Sequence, residues 1–555
     1  MSEVDPLLLS VTAPGSPFEI GLRASLRGGL RQFVNAPDDL GQLIEAARRH
    51  GPKTFIVDRA GDAERRLTYD ETFALRDALA AELGIARGDR VAICMRNGAE
   101  WMIGFLAVIR MGGVAVLVNS RGAAGELVAA IDEVKPTLVL ADAERATLLR
   151  QGGFAGRMIE ADAFPCPGPG PGAMPPPVAP ALADDPCAIL FTSGTTGRVK
   201  GAVLSHRNLI TGLLSVQLSG VMILHGMAQS LGLPVEALTA NMPQQAVLLV
   251  YPLFHISGLG SAFLSPLFSG SKVVIMRRWD AREALRLIEA EGVTMFTGVP
   301  TMLWDVLNAA APGDPALAGL RNVASGGQAL PVNLLDAMHE ACPQAAMGTG
   351  YGMTECAGSV AQAVGADFLR NRASAGRVLP LVDMKIASPD GAELPRGQTG
   401  EITVRGAMVM QGYWNRPEDT AAVLSPDGWL RTGDVGYVDA EGYVFIVDRK
   451  KDMVISGGEN IYCAEVERVM GELPGISECA AFGIPDERLG EVLVAVVVAE
   501  GIDEAAIIHA VGERLARYKA PARVAFSNKT LPRNHVGKVD KIALRQAWPQ
   551  LNGVS

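Results

Sequence analysis

FTSGTTGRVKGAVLSH, residues 191–206, crowds hydroxyls and glycines around one lysine, directly behind the apolar run Ala188-Ile189-Leu190. Glycines let the N–H groups of a turn converge on an anion, and hydroxyls and a lysine add donors around it, so phosphate is the ligand this loop suits. The spacing is not that of a Walker A loop, in which the lysine directly follows the last glycine and a helix opens there. Here two residues separate Gly197 from Lys200, and Gly201 to Leu204 reads as a second short strand before Ser205 caps a helix at His206. The segment is expected as strand, turn, strand, helix.

Upstream, helical and strand-like runs alternate: helix Glu71–Leu83, strand Arg90–Cys94, helix Trp101–Met111, strand Gly113–Val118, helix Ala124–Glu133 and strand Thr137–Ala141. Strands separated by helices of this length imply a largely parallel α/β sheet. Residues 164–180, FPCPGPGPGAMPPPVAP, are dominated by proline and glycine and read as a connector. Downstream, after Ser456-Gly457-Gly458, the texture changes. A helix carrying Val466, Val469, Met470 and Leu473 precedes strands at Cys479–Phe482 and Val492–Val498, a helix with Ile507, Ile508, Val511 and Leu515, and a strand at Arg523–Phe526. This is a compact α+β unit, with the polar run Asp448-Arg449-Lys450-Lys451-Asp452 as a hinge at its entrance.

The chain of 555 residues exceeds the usual size of a single core, so two or more domains are expected. With 48% apolar and 20% charged residues it has the composition of a globular protein, and its net charge of −10 argues against a nucleic-acid partner. Seven scattered cysteines without a C-x-x-C pair, and an acidic N-terminus without a secretory pattern, lead to the expectation of a cytoplasmic protein with reduced thiols. Residues 246–270, AVLLVYPLFHISGLGSAFLSPLFSG, are long and apolar enough to span a membrane, but prolines, glycines and serines divide them. They are read as buried strand, loop and helix, and no membrane span is expected.

Further unusual stretches are ASGGQAL (324–330), GTGYGMTE (348–355), TGEITVRG (399–406), WLRTGDVG (429–436), DRKKDMVISGGENIY (448–462) and LPRNHVGKVDK (531–541). Each alone could be a turn, a loop tip or a solvated basic face. In this order the set resembles the adenylate-forming (AMP-binding) superfamily, in its acyl-CoA synthetase or acid–CoA ligase branch, from about residue 50 to 545. The resemblance implies an α/β fold. A large multi-subdomain N-terminal domain, 1–450, would have mostly parallel sheets and a distorted barrel, and a small mobile α+β C-terminal domain would occupy 451–555.

It also implies roles, position by position. Thr192, Ser193, Gly194, Thr195, Thr196, Gly197 and Lys200 match the phosphate loop over the β- and γ-phosphates of ATP, flexible enough to release pyrophosphate. Gly327, Gln328 and Ala329 match the segment along the adenine, and Gly350, Tyr351, Gly352 and Met353 continue the site, with Tyr351 stacking on the base. Thr354 would contact the α-phosphate, and Glu355 would hold Mg²⁺, a hard cation that takes carboxylate oxygens. Asp434 would accept from both ribose hydroxyls, with Arg449 in support. Lys538 matches the catalytic lysine, an ammonium placed where a carboxylate meets the α-phosphorus. Lys451 matches the hinge, and Gly457, Gly458, Glu459 and Asn460 would line the thiol's route, with CoA as co-substrate. Val199 replaces a proline common in relatives, and Asn534-His535-Val536 replaces small and hydroxyl residues, neither of which disturbs a role.

Pro252-Leu253-Phe254-His255-Ile256-Ser257-Gly258 matches the acyl-pocket motif. An aspartate directly after the phenylalanine pairs with the amine in amino-acid-activating relatives. His255 stands there, which argues against a free amino acid. No Arg or Lys lies in Ile256–Phe268 to meet a second carboxylate. Phe254, His255, Gly258, Leu259, Phe263, Val299, Leu303 and Met353 are the expected acyl walls, with His255 as gate or wall and not as base, because the acid is already ionised. The substrate so implied is a monocarboxylic acid with a fatty, aryl or alicyclic body, converted through an acyl-adenylate to the CoA thioester, with a homodimer as the assembly considered. Two alternatives stay open: loading of a separate carrier protein, and nucleotide binding without turnover. A luciferase-like oxygenase ranks below them.

Overall fold

The computed structural model describes residues 6–60, 63–165, 174–193, 199–240, 242–326, 332–449, 452–456, 459–534 and 538–551; for 60, 63, 193, 199, 332, 449, 455, 459 and 460 the backbone alone is described. The opening stretch folds as its punctuation dictates. Strands Pro186–Ser193 and Val199–Ser205 pair antiparallel, Lys200 opposite Thr192. Ser205 then caps helix His206–Leu231, its side chain accepting from the Asn208 N–H while Asn208 reaches back to the cap.

This hairpin joins the edge of a seven-stranded sheet in the spatial order Gly412–Tyr413, Val199–Ser205, Pro186–Ser193, Val114–Leu117, Arg90–Cys94, Leu138–Ala141, Met158–Glu160. All pairings from Pro186–Ser193 onward are parallel. Helices Tyr69–Glu82, Ala99–Arg110 and Ala124–Val134 fall where the alternation predicts them, the first behind a Thr68/Glu71 capping box. Val114–Leu117 and Leu138–Ala141 are buried along their whole length, as strands covered by helices on both faces must be.

A nine-stranded sheet runs Arg377–Val378, Gly358–Val364, Ala346–Met353, Asn322–Gly326, Met295–Gly298, Ala246–Leu249, Lys272–Ile275, Thr54–Ala60, Ala63–Thr68, parallel through its five central pairings and antiparallel at both ends. Where a distorted barrel was expected, the described strands Asp383–Ala387, Gly400–Arg405, Leu430–Val438 and Val444–Arg449 form a four-stranded antiparallel sheet. The C-terminal unit carries a five-stranded sheet, with Gly490–Ala499 between Ile476–Asp486 and Arg523–Phe526, and helices Cys463–Gly471 and Glu504–Arg514. Its apolar clusters draw only on residues from Val454 onward.

The 246–270 stretch divides as expected, into strand Ala246–Leu249, a π-helical turn Ser257–Leu264 and helix Ser265–Ser269. One helix among the described residues is long and apolar enough by length and composition to cross a membrane, and it is His206–Leu231. Leu209, Ile210, Leu213 and Leu218 bury its N-terminal part, while Met227 and Leu231 are exposed near its end.

Candidate active site

A cleft of about 3240 Å³ takes its walls from both sheets, the four-stranded sheet and the C-terminal unit. Thr192, Lys200, Gly350, Tyr351, Gly352, Met353, Thr354, Glu355, Asp434 and Lys538 all border it. Residues more than three hundred positions apart in sequence therefore share one space.

Tyr351 and Asp434 meet directly. Strand Ala346–Met353 carries the tyrosine to the cleft, and its hydroxyl donates to Asp434 Oδ2 at 2.7 Å. Asp434 is 5% exposed, its N–H donates to Thr432 Oγ1, and it stands opposite Arg449 on the neighbouring strand. Burial and the Asp434 charge both push the Tyr351 phenol well above its ordinary value, so it stays protonated and donates. Gly352 is required where this strand turns: a Cβ there would lie 2.1 Å from the Gly358 carbonyl oxygen.

Directly after, a single 3₁₀ turn, Thr354–Cys356, sets Glu355 in the wall, nearly buried. Its Oε1 accepts from the Tyr413 hydroxyl at 2.9 Å, and its carbonyl accepts from the Met410 N–H. As a carboxylate on the cleft wall, Glu355 suits Mg²⁺, which uses one or two carboxylates with substrate phosphates and water instead of an all-protein cage. Among the described residues no group of three or more His, Cys, Asp or Glu side chains could hold a metal ion by itself.

Lys538 stands beside Asn534 in the C-terminal unit. Asn534 holds it from both sides, its Oδ1 accepting from the Lys538 N–H at 3.1 Å and its own N–H donating to the Lys538 carbonyl at 2.8 Å. An Arg533↔Val539 bridge and the Arg533–Glu478 ion pair at 3.0 Å flank this pairing. The asparagine that departs from the expected motif thus orders the lysine's backbone. Across the domain entrance, Asp448 Oδ2 accepts from the Ala464 N–H, tying the last strand of the large domain to helix Cys463–Gly471.

The acyl side differs from expectation. His255, Val299 and Met353 border the cleft. Leu259 and Phe263 do not reach it: both are fully buried, and Phe263 packs against Phe55, Trp101 and Phe105. Leu303 is likewise buried, in the cluster with Phe296. The π-helical turn carries Leu259 and Phe263 into the core, which periodicity alone could not foresee. Phe254 borders a separate cavity of about 30 Å³ shared with Arg96, Asn97 and Arg121. Gly258 lets the turn close, since a Cβ would come 2.0 Å from the Pro252 carbonyl oxygen. His255 lies against Phe254, ring centroids 4.6 Å apart.

The wall that sequence reading missed is helix His206–Leu231, which lines the cleft with Val216, Gly220, Val221, Leu224 and Met227. Its signal was present as an apolar 3.6-residue pattern behind the Ser205 cap. Tyr413 and Asp419, which meet Glu355 and Lys200, were also missed. Gly194, Thr195, Thr196, Gly197, Gly327, Gln328, Ala329, Lys451, Gly457 and Gly458 lie outside the described residues, as do the side chains of Ser193, Arg449, Glu459 and Asn460.

Residues 43–414 match the AMP-binding enzyme family, and residues 465–538 match the AMP-binding enzyme C-terminal domain. The chain belongs to the AMP-binding enzyme family. It is 36% identical over 515 residues to a feruloyl-CoA synthase of Amycolatopsis, covering 92% of this chain and 99% of that protein. It is 34% identical over 502 residues to the long-chain-fatty-acid–CoA ligase FadD13 of Mycobacterium tuberculosis, covering 87% and 93%. Among solved structures, the O-succinylbenzoate coenzyme A synthetase MenE of Bacillus subtilis, in complex with ATP and a magnesium ion, superposes with a TM-score of 0.75 at 28% identity, covering 92% of this chain and 99% of that one.

Proposed function

We propose that this chain is an ATP-dependent acyl-CoA synthetase that activates a hydrophobic monocarboxylic acid as its acyl-adenylate and passes the acyl group to CoA, releasing AMP and pyrophosphate. It is an AMP-forming acid–thiol ligase using ATP, Mg²⁺ and CoA. The observation that carries the reading is the convergence of Tyr351, Glu355, Asp434 and Lys538 on one cleft, with the Tyr351–Asp434 hydrogen bond already made.

In this reading Asp434, oriented by Tyr351, accepts from the ribose hydroxyls. The phosphate loop and Lys200 hold the β- and γ-phosphates, and Thr354 contacts the α-phosphate. Glu355, steadied by Tyr413, would hold Mg²⁺, which supplies charge neutralisation for the leaving pyrophosphate. An oxygen of the substrate carboxylate attacks the α-phosphorus and the bond to the pyrophosphate oxygen breaks. Lys538 stabilises the charge where those two anions approach. The CoA thiol, as thiolate, then attacks the acyl carbon and AMP leaves. The C-terminal domain, 451–555, turns about Lys451 between the two steps and brings Gly457, Gly458, Glu459 and Asn460 to the thiol.

The acid is assigned from the wall. Val216, Val221, Leu224, Val299 and Met353 offer apolar surface, and two relatives are named for a long-chain fatty acid and an aryl acid. Fatty, aryl and alicyclic bodies fit that wall. A homodimer without a membrane span, in the cytoplasm, belongs to the same proposal. The test is pyrophosphate release over a panel of fatty, aromatic and alicyclic acids with ATP and CoA, with the thioester identified by mass. Pyrophosphate release without a CoA product transfers the reading to a carrier protein, and no acid-dependent release overturns it.

A further inference from the structure

Lys200 is in register with Thr192 at the start of the strand that leaves the phosphate loop. Its ammonium lies 2.5 Å from Asp419 Oδ1 and over the Tyr413 ring, 5.3 Å from the centroid. Asp419 comes from the short helix Pro417–Val423, whose Thr420 hydroxyl accepts from the Tyr413 N–H at 2.9 Å. Tyr413 in turn pairs with Ala202, and Trp414 N–H donates to the Gly201 carbonyl at 2.8 Å. The lysine's strand and the aspartate's helix are thus both tied to Tyr413–Trp414, the strand by backbone hydrogen bonds and the helix by the Thr420 hydroxyl. With side-chain exposures of 16% and 35%, the pair is partly shielded from water, so its attraction is less screened than at an open surface.

The arrangement has a consequence for the leaving group. A carboxylate in contact with an ammonium cancels part of the field that the ammonium offers to a second anion. Tyr413 is common to both ends of the network, its ring under Lys200 and its hydroxyl on Glu355, so the ammonium can be recaptured without moving the residue read as the Mg²⁺ ligand. We propose that Asp419 is a competing anion for the phosphate-loop lysine: it takes Lys200 back as pyrophosphate departs, and so speeds pyrophosphate release at the expense of ATP affinity. Asp419 is a positioning residue, and the inference rests on reading Lys200 as a phosphate ligand.

Asp419→Asn keeps the shape and removes the charge. Inorganic pyrophosphate, used as product inhibitor, should bind this variant about two- to fivefold tighter, the range for a partly exposed ion pair, with KM for ATP falling in step and kcat not rising. Asp419→Glu should return both constants toward wild type, which a merely structural role would not do. In a Lys200→Ala background, Asp419→Asn should leave the pyrophosphate inhibition constant unchanged. Unchanged or weaker pyrophosphate inhibition in Asp419→Asn overturns the proposal; should that variant fail to fold, Asp419→Ser is read against the same outcomes. If Lys200→Ala alone leaves ATP KM and pyrophosphate inhibition untouched, it is the reading of Lys200 that fails, whatever Asp419 does.

Discussion

Tyr351→Phe removes one oxygen and little else. The ring stays, so any stacking on the adenine and the apolar burial are preserved, and what is lost is the hydroxyl that donates to Asp434 Oδ2 at 2.7 Å and also meets the Thr432 side chain. A hydrogen bond to a charged group contributes about 1.5–3 kcal/mol. Asp434 is nearly buried but borders the cleft, so water can reach the vacated position and the lower end applies. A loss of about 1.5 kcal/mol corresponds to roughly tenfold in kcat/KM for ATP. The assay is acid-dependent pyrophosphate release with ATP varied at saturating acid. Because burial and Asp434 hold the phenol protonated, the deficit should stay constant between about pH 7 and pH 9. The double variant Tyr351→Phe, Asp434→Ala closes the cycle: if the tyrosine acts through the aspartate, the tenfold effect disappears once Asp434 is gone. A change below twofold in the single variant, or the full tenfold persisting in the double variant, refutes the reasoning.

Lys538→Ala should abolish pyrophosphate release while sparing thioester formation from supplied acyl-adenylate; equal loss of both steps removes the assigned role. Gly258→Ala, whose Cβ would sit 2.0 Å from the Pro252 carbonyl oxygen, forces the Ser257–Leu264 turn to shift at a cost of about 1–3 kcal/mol, and KM for the acid should rise more than KM for ATP. Comparable rises in both would detach that turn from acid binding. Burial holds the His206 imidazole below its ordinary value although Asp39, 3.6 Å away, pulls the other way. A base depressed in the folded state contributes stability that is complete above about pH 6.5 and lost as pH falls through the folded value, so thermal unfolding should shift down on acidification. His206→Gln should flatten that slope, and an unchanged slope would show that another group sets it.

Polar chemistry was the most legible part of the site. Thr192, Lys200, Tyr351, Thr354, Glu355, Asp434 and Lys538 each stand in a short stretch rich in glycine or charge, and the structure puts all seven on one cleft. Such stretches are legible because a backbone that packs closely has to admit glycine: a Cβ at Gly352 would lie 2.1 Å from the Gly358 carbonyl oxygen. Strand and helix positions were equally readable wherever alternation or capping was strong, from the Thr68/Glu71 box to the Ser205 cap. Tyr413 and Asp419 were not. They act through a two-residue strand and a seven-residue helix, too short to leave any period, and their partners lie more than fifty residues away.

The apolar wall was hidden for a different reason. Burial in the core and exposure to an acyl cleft select the same residue types, so Leu259, Phe263 and Val299 carry no mark that separates wall from core. The backbone decides between them. Eight residues wound as a π-helix turn Leu259 and Phe263 inward, while His206–Leu231 presents Val216, Gly220, Val221 and Leu224 to the cleft. That helix begins at the cap that closes the phosphate-loop hairpin. One run, 186–231, therefore supplies the strands that flank the proposed phosphate loop and then an apolar helix face that borders the cleft, the proposed acyl wall. In the proposed reading the spacing between nucleotide and acyl wall is set within the large domain, by the paired strands and the capped helix. Acid selectivity should accordingly follow substitutions at Val216, Gly220 and Leu224 with little change in ATP affinity, since those positions lie about three to five turns beyond the Ser205 cap.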